Sequence, residues 1–267
     1  MMTYSLINRV PLTALLGGIF LIMAVTWVAG RWIGVRDREQ CDDDSRTHAS
    51  GLLGAMLGLL ALLLGFTFSM AVQRFEFNRD MVAHEASAIE AAYLRADVAA
   101  EPERLALKAL IRRYVDTRVA FYDAEIDMRR RGAIEEESQK LQDDIWSHAI
   151  TTAVRTPNSV TALLVEAVNE LNDAHTMRLQ GIRNMVPSTI MWLLILMAAA
   201  ATGLTGYVAG FGNRRHPAPT AVVLLLIASV IVVIADLDRP MRGMIKGGQE
   251  SMIDLQRSLR PPVTAGR

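Results

Sequence analysis

An all-α membrane protein with four transmembrane helices and a helical-bundle insert between the second and third spans is the architecture this sequence predicts. Three observations predict it. Four long blocks contain no Asp, Glu, Lys or Arg. The charge they lack is crowded into residues 73–186, and that charged stretch repeats its apolar residues at helical spacing. The 267 residues are 51% hydrophobic and only 21% charged, with 28 basic against 28 acidic side chains. Such a composition excludes a disordered chain and a nucleic-acid binder living on a basic surface. A lone Cys41 excludes an internal disulfide framework and any CxxC metal knuckle.

The N-terminal hairpin, residues 1–72, holds spans at about 11–30 and 51–72, each close to the roughly 20 apolar residues that cross a hydrocarbon core as helix. The first block, preceded by Arg9, also has the outline of a secretory signal peptide. Its apolar run is longer than a typical signal core and an Arg-rich segment follows Gly30, so it reads as a retained span. The C-terminal hairpin, residues 187–237, holds spans at about 187–210 and 219–236, and a tail covers 238–267. The fourth block is short, and a mismatch of a few Å costs little.

Four spans place both termini and the insert on one side. The basic residues near the span ends do not decide which side is cytoplasmic: Arg9, Arg74, Arg79, Arg178, Arg183, Arg239, Arg242 and Lys246 stand against Arg31, Arg36, Arg38, Arg46, Arg214 and Arg215.

The insert, residues 73–186, carries 15 basic and 19 acidic residues. No proline interrupts residues 51–97, and no glycine follows Gly65 in that stretch, so the second span is expected to continue unbroken out of the bilayer. Pro102 opens a second helix with Leu107, Leu110, Ile111, Tyr114, Phe121 and Tyr122 on one face. A third runs from about Ile134 to Val154 around Leu141, Ile145, Trp146 and Ile150. A fourth starts at Pro157-Asn158-Ser159 and buries Val160, Leu163, Leu164, Ala167, Val168 and Leu171. Arg129-Arg130-Arg131-Gly132 followed by Glu135-Glu136-Glu137 reads as a solvated turn between the second and third of these helices.

Catalytic chemistry finds little support. The five histidines are scattered, with no HExxH, no GxxxxGK[ST] and no GxSxG. Cys41-Asp42-Asp43-Asp44 sits in a short loop where consecutive carboxylates point apart, and His175 reads as a satisfied core histidine. No catalytic residue, metal ligand or cofactor is assigned. Nor does any span carry a charge at its centre, which disfavours a carboxylate-relay carrier.

The spans do carry small-residue seams. Gly51, Gly54, Gly58, Ala61, Gly65 and Ser69 keep to one face of the second span, and Ala199, Gly203, Gly206 and Gly210 form a similar stripe in the third. Both suit helix packing, within one chain or between copies. A neighbouring face of the second span carries Leu62, Phe66, Ser69, Gln73, then Glu76 and Asp80. That order suits a pore wall with an apolar constriction, and equally a helix leaving lipid for water.

The run Leu64-Gly65-Phe66-Thr67-Phe68-Ser69 through Phe77 resembles the neck helix of bestrophins. GFTFSMAVQRFEFNRD (65–80), EASAIEAAYLR (85–95), RRYVDTR (112–118) and ADLDRP (235–240) are similar to a bacterial bestrophin-like membrane family. The resemblance implies an oligomeric, pentameric anion channel whose second membrane helix lines the pore, with the helical region and both termini in the cytoplasm of a bacterial inner-membrane protein. Phe66 would match an aromatic of the neck and Leu62 the position one turn earlier. Gly58 departs from the pattern, falling where a further bulky apolar residue is expected. The acidic calcium clasp of bestrophins is represented only by Asp236, Asp238, Glu250 and Asp254, so no calcium site is carried over. The expected partners are further copies of the chain, the lipid bilayer and inorganic ions, without nucleic acid. The alternative is a non-conducting membrane sensor or scaffold whose insert binds a partner.

Overall fold

The computed structural model describes residues 11–123, 128–183, 187–212, 217–239 and 249–260. Of the basic residues compared for orientation, Arg9, Arg214, Arg215, Arg242 and Lys246 lie outside that set, as do Pro240 and the side chains of Tyr122, Arg129 and Arg183.

The described chain is helical: α1 (Leu12–Asp37), α2 (Asp43–Arg95), a short 3-10 turn (Ala96–Val98), α3 (Glu103–Asp123), α4 (Met128–Arg155), α5 (Ser159–Arg183), α6 (Ser188–Gly210), α7 (Pro217–Leu237) and α8 (Gln249–Ser258). Four of these helices, α1, α2, α6 and α7, are long and apolar enough to cross a membrane. Their starts are marked locally. Pro11 and Pro187 immediately precede α1 and α6, and Pro217 is the first residue of α7, positions where a missing N–H costs no helical hydrogen bond.

The chain divides into two compact units, residues 1–74 with 186–239 and residues 75–185 with 240–267. In the first unit α1 and α6 lie backbone to backbone. A Cβ built on Gly30 would stand 1.9 Å from the Gly203 carbonyl oxygen, one on Gly34 2.1 Å from that of Tyr207, and one on Gly206 2.1 Å from that of Trp27. Only glycine permits this approach, and it brings Thr26 Oγ1 to 2.8 Å from Thr202 Oγ1. Arg31 donates to the Ala209 carbonyl at 2.9 Å, which extends the pairing beyond the apolar blocks.

Helix α1 continues seven residues past its expected end at Gly30, and α2 begins at Asp43 rather than near Gly51, so the predicted loop of 31–50 contracts to a short turn. The acidic run at 42–44 explains this. Asp42 Oδ1 accepts the Ser45 N–H at 2.9 Å, and Asp43 and Asp44 occupy the first turn, where carboxylates favour the positive end of the helix dipole. Hydrogen bonds from the Ser45 hydroxyl and then from its backbone N–H hold the Asp42 carboxyl below the usual carboxylate range.

The second unit is a bundle of the distal part of α2 with α3, α4, α5 and α8. Its core joins Val82, Ile89, Leu107, Ile111, Leu141, Ile145, Leu164 and Leu171. The tail contributes Met252, Leu255 and Leu259 to this core, a role its sequence did not announce. Three local expectations are corrected. Gly132 and the arginines before it lie inside α4, because the helix starts at Met128, six residues earlier than periodicity suggested. Trp146 is on the exposed side of α4, whose buried face runs through Ser138, Leu141, Gln142, Ile145 and Ala149. Val160 and Leu163 are exposed at the start of α5, and burial begins at Leu164.

Candidate functional site

Helix α2 carries two opposed stripes. Leu60, Thr67 and Ala71, followed by Val82, Glu85, Ile89 and Ala92, are buried. Thr67, the polar member within the span, donates to its own Leu63 carbonyl at 2.7 Å. Roughly half a turn round, Leu62, Phe66, Ser69, Gln73, Glu76 and Asp80 recur at alternating spacings of four and three, which holds them to one side of the helix. All six are exposed, Leu62 at 54% and Phe66 at 65%. Along the helix this face passes from apolar to hydroxyl and amide, then to carboxylate.

Beside that stripe the small-residue seam of α2 is equally open. Gly51, Gly54, Gly58, Ala61 and Gly65 are exposed, and no atom lies within 4 Å of a Cβ built on any of the four glycines. The seam of α6 differs, because Gly206 and Gly210 are covered by α1 and Gly203 faces Thr26. The partner of the α6 seam is Gly30-xxx-Gly34 of α1, a small-residue spacing visible in the sequence. At the end of α7, Asp236, Asp238 and Arg239 are buried in a turn in which the Arg239 N–H reaches the Asp236 carbonyl at 2.9 Å.

A second arrangement lies in the core of the other unit. Glu85 of α2 is 0% exposed and receives Arg118 of α3, Nε to Oε1 at 2.8 Å, together with Arg178 of α5. His175 is 3% exposed, with Nε2 at 3.0 Å from Glu135 of α4 and Nδ1 at 3.0 Å from the Tyr114 hydroxyl. Tyr114 also donates to Glu85 at 3.3 Å, and Arg118 stands 3.6 Å from Glu135 with its guanidinium over the Phe121 ring. Four helices thus meet at one knot of charge.

Electrostatics inside the knot follow from burial set against charge. Burial alone would raise the Glu85 carboxyl, but the adjacent Arg118 and Arg178 charges and the His175 hydrogen bond outweigh it and hold it well below the carboxylate range. For His175, burial opposes protonation while hydrogen bonds to Glu135 and Glu85 favour it, and the balance raises its pKa. Glu135 is lowered in turn, against its own burial, by His175 and Arg118. Burial and the Glu85 charge push the Tyr114 phenol up.

The sequence places His175 in the core but does not reveal that it and Glu85 belong to one network. Its signal was present, since Glu85 opens EASAIEAAYLR while Tyr114 and Arg118 stand four apart in RRYVDTR. Glu90 and His84, by contrast, are exposed. No group of three His, Cys, Asp or Glu side chains among the described residues is arranged to hold a metal ion.

Residues 19–247 match the family model described as the bestrophin-like domain. A crystal structure of a bacterial bestrophin homologue from Klebsiella pneumoniae superposes with a TM-score of 0.63 at 14% identity, covering 93% of this chain and 97% of that one. A mutant form of a bestrophin homologue from the same organism gives 0.60 at 16% identity over 92% of this chain and 97% of that one. No curated protein matched the sequence.

Proposed function

Since the chain belongs to the bestrophin-like domain family, we propose that it is a homo-oligomeric ion channel of a bacterial inner membrane, with α2 lining the pore and the helical unit and both termini in the cytoplasm. A pentamer is the assembly that membership suggests. The observation carrying the reading is the exposed face of α2, from Leu62 and Phe66 through Ser69 and Gln73 to Glu76 and Asp80, opposite the face turned to its own chain.

In a ring of copies, Leu62 and Phe66 form an apolar constriction narrow enough to gate by dewetting, and Ser69 and Gln73 offer dipoles to an ion entering or leaving it. Glu76 and Asp80 set a negative potential beyond the constriction. The open seam at Gly51, Gly54, Gly58 and Gly65 gives neighbouring copies a surface for close approach. The family points away from catalysis, and the chain is proposed to be no enzyme.

The test is single-channel recording of the purified protein in planar bilayers beside Phe66→Ala. The substitution is expected to change unit current while leaving assembly intact, and reversal potentials across a salt gradient assign the sign of the permeant ion. Unchanged conductance in a correctly assembled Phe66→Ala protein, or silence from folded oligomeric wild type, overturns the reading in favour of a scaffold.

A further inference from the structure

Helix α3 presents a second face besides the one that enters the charged knot. Tyr114 and Arg118 point inward, whereas Ala109, Arg112, Arg113 and Asp116, spaced three, one and three residues apart, form a stripe on the side turned to α8. From across the gap come Gln256 and, just beyond the end of α8, Leu259 and Arg260. A cleft of about 420 Å³ lies between the two stripes.

Three guanidinium groups line this cleft against one carboxylate, Asp116, which is itself engaged by the Gln256 amide at 2.8 Å. Arg113 reaches Glu137 at 2.7 Å on the rim. Arg112 and Arg260 have no ion-pair or hydrogen-bond partner for their guanidinium groups among the described residues. Leu259 and Val115 supply buried apolar wall. The lining residues themselves carry a net charge of +2, reduced to +1 by Glu137 on the rim, and the positive charge sits on planar forks that bind phosphate oxygens two at a time, with an apolar wall alongside.

We propose that the cleft between α3 and α8 binds a phosphate monoester dianion, with Arg112 and Arg260 as the principal ligands and Arg113 as a third. The phosphate neutralises the two unpaired guanidiniums, and its organic portion lies against Leu259 and Val115. Binding ties α8 to α3, so it stiffens the unit to which both helices belong. This site stands apart from conduction and is read without recording a current.

Two sources present this chemistry, a soluble phosphorylated metabolite and the headgroup of phosphatidate. The experiment uses the full chain in phosphatidylcholine nanodiscs, with and without phosphatidate, titrated with glycerol 3-phosphate by calorimetry and by thermal unfolding. Saturable binding that raises Tm equally in both nanodiscs assigns the soluble source. A higher starting Tm with phosphatidate, and loss of glycerol 3-phosphate binding there, assigns the headgroup. Arg112→Gln, at a half-buried position, and Arg260→Gln, at an exposed one, are each expected to weaken binding by about tenfold or more, with elution volume and circular dichroism unchanged. Arg112→Lys, which retains charge and loses the fork, is expected to fall between. The proposal is overturned by absence of saturable binding in both nanodiscs, by equal binding to the Gln variants, or by chloride at matched ionic strength producing the same shift.

Discussion

Replacing Glu85 by Gln takes the central counter-charge from Arg118 and Arg178 while keeping the shape of the side chain. Breaking one side of a buried ion network costs roughly 3–5 kcal/mol, far more than the pair gains over an apolar alternative. Glu85→Gln is accordingly expected to lower the unfolding midpoint sharply, as followed by circular dichroism in detergent, whereas Glu90→Gln on the exposed side of the same helix is expected to be nearly silent. The pH dependence belongs to the same residues. His175 has its pKa raised above 6.5, so its stabilisation is complete below that value and is lost as pH rises through the folded value. Glu85 and Glu135 are depressed below 4.5, so theirs is complete above it and is lost as pH falls through their folded values. Stability of this unit is expected to peak between 4.5 and 6.5 and to decline above. A denaturant midpoint that stays flat toward alkaline pH in the wild type, or declines equally in His175→Gln, contradicts that assignment.

At the scale of elements, the two glycine seams make opposite predictions. A side chain at Gly206 meets the Trp27 carbonyl, and a backbone cannot swing aside as a flexible side chain does, so Gly206→Leu is expected to separate α1 from α6 and to lower folded yield. Gly58 has open space, so Gly58→Leu is expected to leave the protomer folded while weakening contact between copies. Light scattering of both variants in detergent distinguishes them: aggregated or poorly recovered protein for the first, folded protein of reduced oligomer size for the second. Helix α2 shows how local rules reach this scale. Its 53 residues form one helix because Asp42 caps the start and no proline or late glycine interrupts the run. The start of α4 shows where such rules fall short. Blocks of like charge suggested a solvated turn at Arg129–Gly132, yet the helix absorbs them, and the Arg131 guanidinium lies over the Phe121 ring of α3 at 5.4 Å.

For the whole molecule, the proposed channel function rests on surfaces that one chain leaves open. Leu62 and Phe66 are more than half exposed and have little internal packing to lose, which is why Phe66→Ala is expected to alter current and spare the fold. The four spans, the continuous second helix and the helical insert were legible in the sequence. Each depends on residues adjacent along the chain: apolar length against the thickness of a bilayer, proline and glycine placement, and periodic burial. The bestrophin-like resemblance was legible in the segments around Phe66, Glu85 and Arg118. The tertiary structure alone decided that Glu85 meets Arg178, 93 residues away, that Gly206 presses on Trp27, and that α8 folds back to face Arg112 across a cleft. Charge and size state that a residue needs a partner. Which partner is chosen depends on which helix faces are brought together, and that is a property of the packed chain.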